Sequence, residues 1–127
     1  MRSINLANFT AKEQDQLRRN LIEIPRGDYK QLKFSLPAEI ISRLENIYIT
    51  FKNSPYDEEY IFQKTLTNND ITYNGEVYLF SINPNDTSRL DMEKEYIYDI
   101  ELNGENLKHT TLGILRVTSE VTLNEEE

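Results

Sequence analysis

The chain has 127 residues and a mass of 15.0 kDa, which suits one domain and leaves no room for two well-buried cores. It contains no cysteine, so neither a disulfide framework nor a thiolate metal site is expected, and no apolar run approaches the roughly 18–20 residues of a membrane helix. The formal net charge of -8 repels phosphate backbones and anionic lipids, which argues against nucleic-acid and membrane partners.

An N-terminal arm, residues 1–20, precedes the strands. Thr10 followed by Glu13 fits a capping box, and basic residues stand where a helix would end, so we predict a short helix over residues 11–19. Such a helix is too short and too polar to be stable alone, and it must pack against something.

The apolar residues of this arm are few: Ile4, Leu6, Phe9 and Leu17. We interpret them as an assembly interface that becomes ordered against a partner chain. The alternative is an arm that folds back over its own sandwich, since apolar side chains near a terminus often cover a sheet edge.

From residue 21 onward the apolar residues follow a period of two, and turn residues interrupt the chain at the spacing typical of β-sandwiches and barrels. Residues 21–24 and 29–36 are predicted strands. Pro25 and Gly27 end the first of them in a type I turn, with proline at position i+1 and glycine at i+3. Residues 37–44 are predicted as an irregular connection, although one or two helical turns also fit.

Further strands are predicted at residues 47–51 and 60–66, each followed by turn-forming residues. The pair Asn74-Gly75 then joins two strands, the second over residues 76–82, in a tight hairpin. Asn-Gly supplies the two positive φ angles that a type I′ turn requires.

A single helical turn is predicted at residues 85–90, followed by two long strands at 96–102 and 107–121. Gly113 interrupts the last strand and is interpreted as a bulge. About eight strands result, which is enough for two sheets.

The predicted fold is all-β: an immunoglobulin-like antiparallel β-sandwich over residues 21–123, preceded by the short N-terminal helix and arm and followed by an acidic tail at 124–127. Tyr96 stands where such sandwiches place a corner tyrosine, two residues before an inward-facing position that Tyr98 occupies. Its hydroxyl is expected to bond the backbone near Asp91.

Six strand and turn segments follow one another in a fixed order: Ile24-Pro25-Arg26-Gly27-Asp28, Ile47-Tyr48-Ile49-Thr50-Phe51-Lys52, Ile61-Phe62-Gln63-Lys64, Ser81-Ile82-Asn83-Pro84-Asn85-Asp86-Thr87, Tyr96-Ile97-Tyr98-Asp99-Ile100 and Gly113-Ile114-Leu115-Arg116-Val117-Thr118. This ordered set resembles a family of phage structural proteins. The family includes the immunoglobulin-like N-terminal domain of upper baseplate proteins and many short stand-alone virion proteins. The resemblance covers about residues 21–123.

The resemblance implies a virion protein, synthesised in the bacterial host cytoplasm, that holds other phage structural proteins and forms a homo-oligomer in the particle. It implies no catalytic residue, no metal and no cofactor. The arm before the sandwich, and the lack of a fibre or coiled coil after it, depart from the baseplate members. A head, collar or head-fibre position therefore fits as well as a tail or baseplate position.

Candidate chemistry is sparse. His109 is the only histidine, so we expect a surface loop histidine rather than a member of a catalytic triad. Asp99 and Glu101 share one face of a predicted strand and form a candidate carboxylate pair for calcium or glycoside hydrolysis, but a solvated acidic face is the favoured interpretation. Residues 26–28 spell an adhesion tripeptide that the predicted turn already explains.

The tyrosines suggest binding, because the chain has 8 tyrosines and no tryptophan. Exposed tyrosines anchor protein interfaces and also stack on sugars, while tyrosine is favoured in strands whatever the function. We predict Tyr48 and Tyr60 as interface residues. The alternative function is a carbohydrate-binding sandwich for adhesion to a host surface.

Overall fold

The computed structural model describes residues 1–120, so the predicted acidic tail at 124–127 and the end of the last predicted strand lie outside the described residues. The elements, in chain order, are a 3-10 turn Leu6–Asn8, α1 Ala11–Arg19, β1 Leu21–Pro25, β2 Lys30–Phe34, α2 Ala38–Ile41, β3 Leu44–Lys52, β4 Phe62–Thr65, β5 Ile71–Tyr73, β6 Tyr78–Ile82, α3 Pro84–Thr87, β7 Lys94–Gly104 and β8 Leu107–Thr118. None of the helices in this part of the chain is long and apolar enough to cross a membrane.

Two sheets form the sandwich: a five-stranded sheet in the order β1-β8-β7-β3-β4 and a three-stranded sheet in the order β2-β6-β5. Neighbouring strands are antiparallel, except that β1 runs parallel to β8. The predicted all-β, immunoglobulin-like sandwich is confirmed, and the parallel β1–β8 pair departs from the predicted antiparallel arrangement.

The core lies between the sheets and follows from the alternation within each strand. Ile47, Ile49 and Phe51 point inward from β3, and each is fully buried. The Phe51 ring stacks on Phe62 of β4 with 4.2 Å between ring centroids and lies 5.2 Å from the ring of Tyr98 on β7. Burial of each such side chain stabilises the fold by about 1.5–3 kcal/mol.

The N-terminal arm crosses the outer face of the five-stranded sheet. It starts beside β7, where the Arg2 amide donates to the Glu93 carbonyl at 2.9 Å and the Arg2 carbonyl accepts from the Glu95 amide at 2.8 Å. Helix α1 then has the predicted bounds and the predicted capping box between Thr10 and Glu13.

Four apolar residues of the arm pack on this face: Ile4, Leu6, Phe9 and Leu17. Leu17 is 0% exposed and lies against Ile97 of β7 and Ile114 of β8. These are the arm residues that we predicted as an assembly interface, and the structure places them on the chain's own sheet instead. The physical reason is that Ile97 and Ile114 make the outer face apolar at this point, and the arm removes that surface from water.

The turn at Gly27 differs from the predicted one. The Asp28 amide donates to the Pro25 carbonyl at 3.1 Å, so Pro25 is residue i of the turn rather than i+1. Gly27 is therefore residue i+2, and its φ of 82° is the positive angle that a type II turn needs there. The shift arises because β1 continues through Pro25, which pairs with Thr118.

The hairpin at Gly75 is also wider than predicted. Gly75 has a φ of 98°, whereas Asn74 is not among the non-glycine residues with positive φ within residues 1–120, so the type I′ prediction is wrong. Asn74 Oδ1 accepts from the amides of Glu76 and Val77, both at 2.9 Å, and this side-chain cap holds a longer loop. Strand β6 consequently begins at Tyr78 instead of residue 76.

Other boundaries shift by a few residues. Strands β2 and β4 are shorter than predicted, and Tyr60 and Ile61 lie in the loop before β4. Residues 37–44 contain a helical turn, α2, which is the alternative to the irregular connection that we favoured.

Gly113 does not mark a bulge, because it pairs with Tyr98 in an uninterrupted β7–β8 register. A Cβ atom at Gly113 would lie 2.3 Å from Tyr98 Cζ, and the glycine therefore makes room for the tyrosine ring. The Tyr98 hydroxyl donates to the Asn20 carbonyl at 2.7 Å, and burial raises the pKa of this hydroxyl. Asn20 is thus fixed at the point where the chain leaves α1 and enters β1.

Candidate functional site

Strand β8 has two halves with different surroundings on the side away from β7. In the paired half, residues 114–118, β1 runs alongside and completes the sheet. At the boundary the Ile114 amide donates to the Asn20 carbonyl at 3.3 Å, and side chains satisfy Leu112: Gln16 Oε1 accepts from its amide at 3.3 Å and Asn20 Nδ2 donates to its carbonyl at 3.0 Å. The cover of the sheet edge ends there.

In the open half of β8, residues 107–111, no strand of the described residues 1–120 lies on the side away from β7, because the chain before Asn20 belongs to α1. Hydrogen-bonding directions alternate along a strand, so Lys108 and Thr110 present their amides and carbonyls to the same side as Leu112. Both residues are exposed, and on that side neither finds a partner within residues 1–120. The open half is therefore a free strand edge of the kind that pairs with another chain.

An apolar groove of about 600 Å³ opens between the two sheets beside this edge. Its apolar walls come from β2, α2, β7 and β8 and the segments next to them: Phe34, Leu36, Ile40, Ile100, Leu102 and Leu107. Strand β1 closes the gap between the two sheets beside residues 114–118 of β8. Within residues 1–120 no strand closes the gap beside residues 107–111, so the groove is accessible there.

Three basic residues also border this groove: Arg43, Lys108 and His109. Arg43 Nε is buried and has no acceptor among the residues that the structure describes. A buried donor without a partner costs about 1–3 kcal/mol, so the groove favours a ligand that brings a carboxylate. His109 lies on β8 rather than in the predicted surface loop, although it is exposed as expected.

A second surface is the aromatic loop, residues 53–61. Tyr56 is 73% exposed and Tyr60 is 54% exposed, with three acidic residues between them. Tyr48 lies elsewhere: it is half-buried on β3 opposite Thr65, at the far end of β4 from the loop. The structure therefore does not bring together the two tyrosines predicted as interface residues.

The candidate carboxylate pair lies on the outer face of β7, as predicted. Burial raises the pKa of the Asp99 carboxyl, Lys52 lowers it and Glu101 raises it further. The Glu101 carboxylate accepts from Asn103 Nδ2 at 2.8 Å. Within residues 1–120 no group of three His, Cys, Asp or Glu side chains is arranged to hold a metal ion.

Tyr96 forms the corner that its position predicted. The Asp91 amide donates to the Tyr96 hydroxyl at 2.9 Å, and the tyrosine is buried. This is the expected bond between the hydroxyl and the backbone near Asp91, with the hydroxyl as the acceptor. The contact fixes the chain between α3 and β7 and has a structural role.

Sequence reasoning missed the groove and Arg43. The segment predicted as an irregular connection contains or adjoins Leu36, Ile40 and Arg43. No pattern in the sequence predicted that these residues lie opposite the start of β8. The adjacent apolar residues Ile40 and Ile41 were a signal that this segment packs against the sandwich, because a solvated loop has no need of two isoleucines.

No family model and no curated protein matches the sequence. Among solved structures, the extracellular domain of the voltage-gated sodium channel beta4 subunit is 14% identical, covers 80% of this chain and 92% of that chain, and has a TM-score of 0.43. Mouse leukocyte-associated immunoglobulin-like receptor 1 is 15% identical, covers 83% and 86%, and has a TM-score of 0.45. The natural killer cell receptor Nkp44 is 12% identical, covers 78% and 97%, and has a TM-score of 0.47. Likenesses at such identities concern the strand layout alone.

Proposed function

We propose that the chain is a non-enzymatic protein-interaction module that serves as a structural component of a tailed bacteriophage particle, in its head, collar or head fibre, tail or baseplate. The observation that carries the interaction role is the aromatic loop, where Tyr56 and Tyr60 are exposed at one end of the sandwich's strands β3 and β4. Tyrosines anchor protein interfaces because they bury a large area and lose little side-chain entropy. The ordered resemblance of six segments to phage structural proteins supports the virion setting.

The proposal is tested by mass spectrometry of purified particles from the phage that encodes the chain. We expect the chain at a copy number comparable with other structural proteins. Its absence from intact particles, while it is present in the infected cell, would contradict the proposal.

The aromatic loop is tested by replacing Tyr56 and Tyr60 together with serine and measuring incorporation into particles. We expect incorporation to fall because the interface loses its aromatic anchors. The matched control is Tyr29→Ser, which removes a 57% exposed tyrosine just before β2 of the three-stranded sheet and should leave incorporation unchanged.

A carbohydrate-binding function is the second candidate, because the same loop lines an open depression of about 620 Å³ with Tyr56, Tyr60 and acidic side chains. Aromatic faces and carboxylates together suit a sugar ring and its hydroxyls. Titration of the chain with host-wall polysaccharide distinguishes the candidates. Saturable binding that is lost in the Tyr56→Ser, Tyr60→Ser double variant would favour the carbohydrate-binding function. The absence of binding would favour the protein-interaction function.

A further inference from the structure

We propose that the free edge of β8 and its groove bind residues 121–127 of a second copy of this chain as an added β-strand. The inference goes beyond the proposed function, since it names the partner and uses a different surface from the aromatic loop. An extended segment that adds to a sheet edge gains affinity from main-chain hydrogen bonds and specificity from pockets for alternate side chains.

The edge supplies the main-chain partners. Lys108 and Thr110 offer two amides and two carbonyls toward the side where β1 would continue, and both residues are exposed. At Leu112, side chains of Gln16 and Asn20 already satisfy the backbone, so the available edge ends there. An added strand would therefore pair with residues 107–111 of β8, next to the part of the edge that β1 occupies.

The groove supplies the side-chain pocket, and the sequence of the segment matches it. Val121 and Leu123 are separated by one residue, so in an extended strand both side chains point to the same face. The groove beside the edge is lined by apolar side chains such as Leu102 and Leu107. Two apolar side chains can therefore enter it while the strand pairs with β8.

Charge complements the fit. The segment ends in Glu125-Glu126-Glu127, and the groove carries Arg43, Lys108 and His109 on a molecule whose net charge is -8. Two copies repel each other as wholes, so a local basic site is what an acidic segment of the same chain would need. A glutamate carboxylate would also give the buried Arg43 Nε the acceptor that it lacks among residues 1–120.

The geometry excludes the chain's own segment. The groove lies at the start of β8, and from Thr110 to Thr118 the strand extends over ~26 Å at about 3.3 Å per residue. Val121 and Leu123 follow Glu120 by one and three residues, so they reach at most ~11 Å from it even in a fully extended chain. The occupant must come from another copy, and such a head-to-tail contact closes into a ring or continues as a filament.

The test is a complementation experiment in solution with the full chain, followed by sedimentation velocity. The tail variant carries Val121→Asp and Leu123→Asp, and the edge variant carries Thr110→Pro, which removes one edge amide. We expect the unchanged chain to associate as its concentration rises and each variant alone to stay monomeric. An equimolar mixture should form a 1:1 heterodimer, because the tail variant keeps the edge and the edge variant keeps the tail.

A second variant guards against misfolding of Thr110→Pro. The exposed Lys108→Glu should weaken self-association by about tenfold or more, whereas Lys12→Glu, the same exchange on α1, should leave it unchanged. Each of three results would overturn the proposal: a monomeric unchanged chain at all concentrations, a tail variant that still associates, or a mixture without heterodimer. Absence of the chain from purified particles would instead contradict the proposed function. It would not contradict the proposed association between copies of the chain.

Discussion

The two halves of β8 belong to one strand yet differ in how completely the fold encloses them. Residues 114–118 have β7 on one edge, β1 on the other, the core below and the arm above. Residues 107–111 have β7 and an open groove. The difference shows that, within residues 1–120, the arm and β1 complete this edge of the sheet only as far as Asn20.

Three residues set the boundary between the halves. Tyr98 reaches from β7 across Gly113 and holds the carbonyl of Asn20 at 2.7 Å. Because a tyrosine ring fills the place of a side chain at position 113, β1 cannot begin earlier without losing this bond. The bond from Tyr98 to Asn20 therefore helps to set the residue at which β1 begins.

The largest expected contrast comes from proline at matched edge positions of the two halves. Arg116→Pro should lower the free energy of unfolding by about 3 kcal/mol or more, since it removes a ladder amide. It also removes the guanidinium that pairs with the buried Glu95 carboxylate at 2.7 Å, which leaves that carboxylate only the Ile4 amide among its hydrogen-bond donors within residues 1–120. Thr110→Pro should cost about 1 kcal/mol, because its amide has no partner within residues 1–120. Urea melts of dilute protein measure both losses. If the two proline variants lose equal free energy of unfolding, the two halves of β8 do not differ in how the fold encloses them.

The cover of the paired half is tested by Leu17→Ala. We expect a loss of about 3 kcal/mol in the free energy of unfolding, because a fully buried leucine leaves a cavity against Ile97 and Ile114. Leu21→Ala on β1 is the control, since Leu21 is 40% exposed, and it should cost much less. An arm that serves only for assembly would make Leu17→Ala neutral, and thermal melts distinguish the two results.

The boundary itself is tested by Gly113→Ala. The new methyl group would clash with the Tyr98 ring, and relief of the clash should cost about 2 kcal/mol. The ring would also move away from Asn20, so we expect faster amide exchange at Ile114, which bonds the same carbonyl. An unchanged denaturant midpoint would show that the ring does not define where β1 begins.

The smallest expected effect is a gain in stability from Asp99→Asn. Asp99 pairs with Leu112, next to the boundary between the two halves of β8. Burial raises the pKa of Asp99, so the folded chain binds a proton more tightly than the unfolded chain, and stability falls as pH rises through the interval between the two pKa values. Asp99→Asn should therefore stabilise the fold slightly at neutral pH and remove this pH dependence. The exposed Glu58→Gln should change neither, and urea melts between acid and neutral pH are the measurement.

The sequence predicted what depends on neighbours in the chain. The helix from residue 11 to 19 follows from the capping box, and the strands follow from alternation. The position of the arm depends on contacts between distant residues, yet a clue was visible: Ile97 stands between two inward tyrosines and Ile114 next to Leu115, and apolar residues on both faces of a strand indicate that both faces are buried.

The rest was beyond local patterns. The loop after Tyr73 widened because the side chain of Asn74 competes for the amides that a tight turn would use. The groove requires Arg43 and the start of β8 to meet across the sandwich, and neither residue carries a local signal for that. Turn details and the site were therefore missed where side-chain bonds and long-range packing decide them.

Amide hydrogen exchange along β8, measured by NMR on the full chain at low and at high concentration, tests the central claim most directly. In dilute solution the amides of Lys108 and Thr110 should exchange fast while those of Ile114 and Arg116 are protected, since only the latter two amides face a paired strand, β1. At high concentration Lys108 and Thr110 should become protected as well, because the segment of a second copy pairs with them. Exchange at Lys108 and Thr110 that stays fast at every concentration would contradict the account.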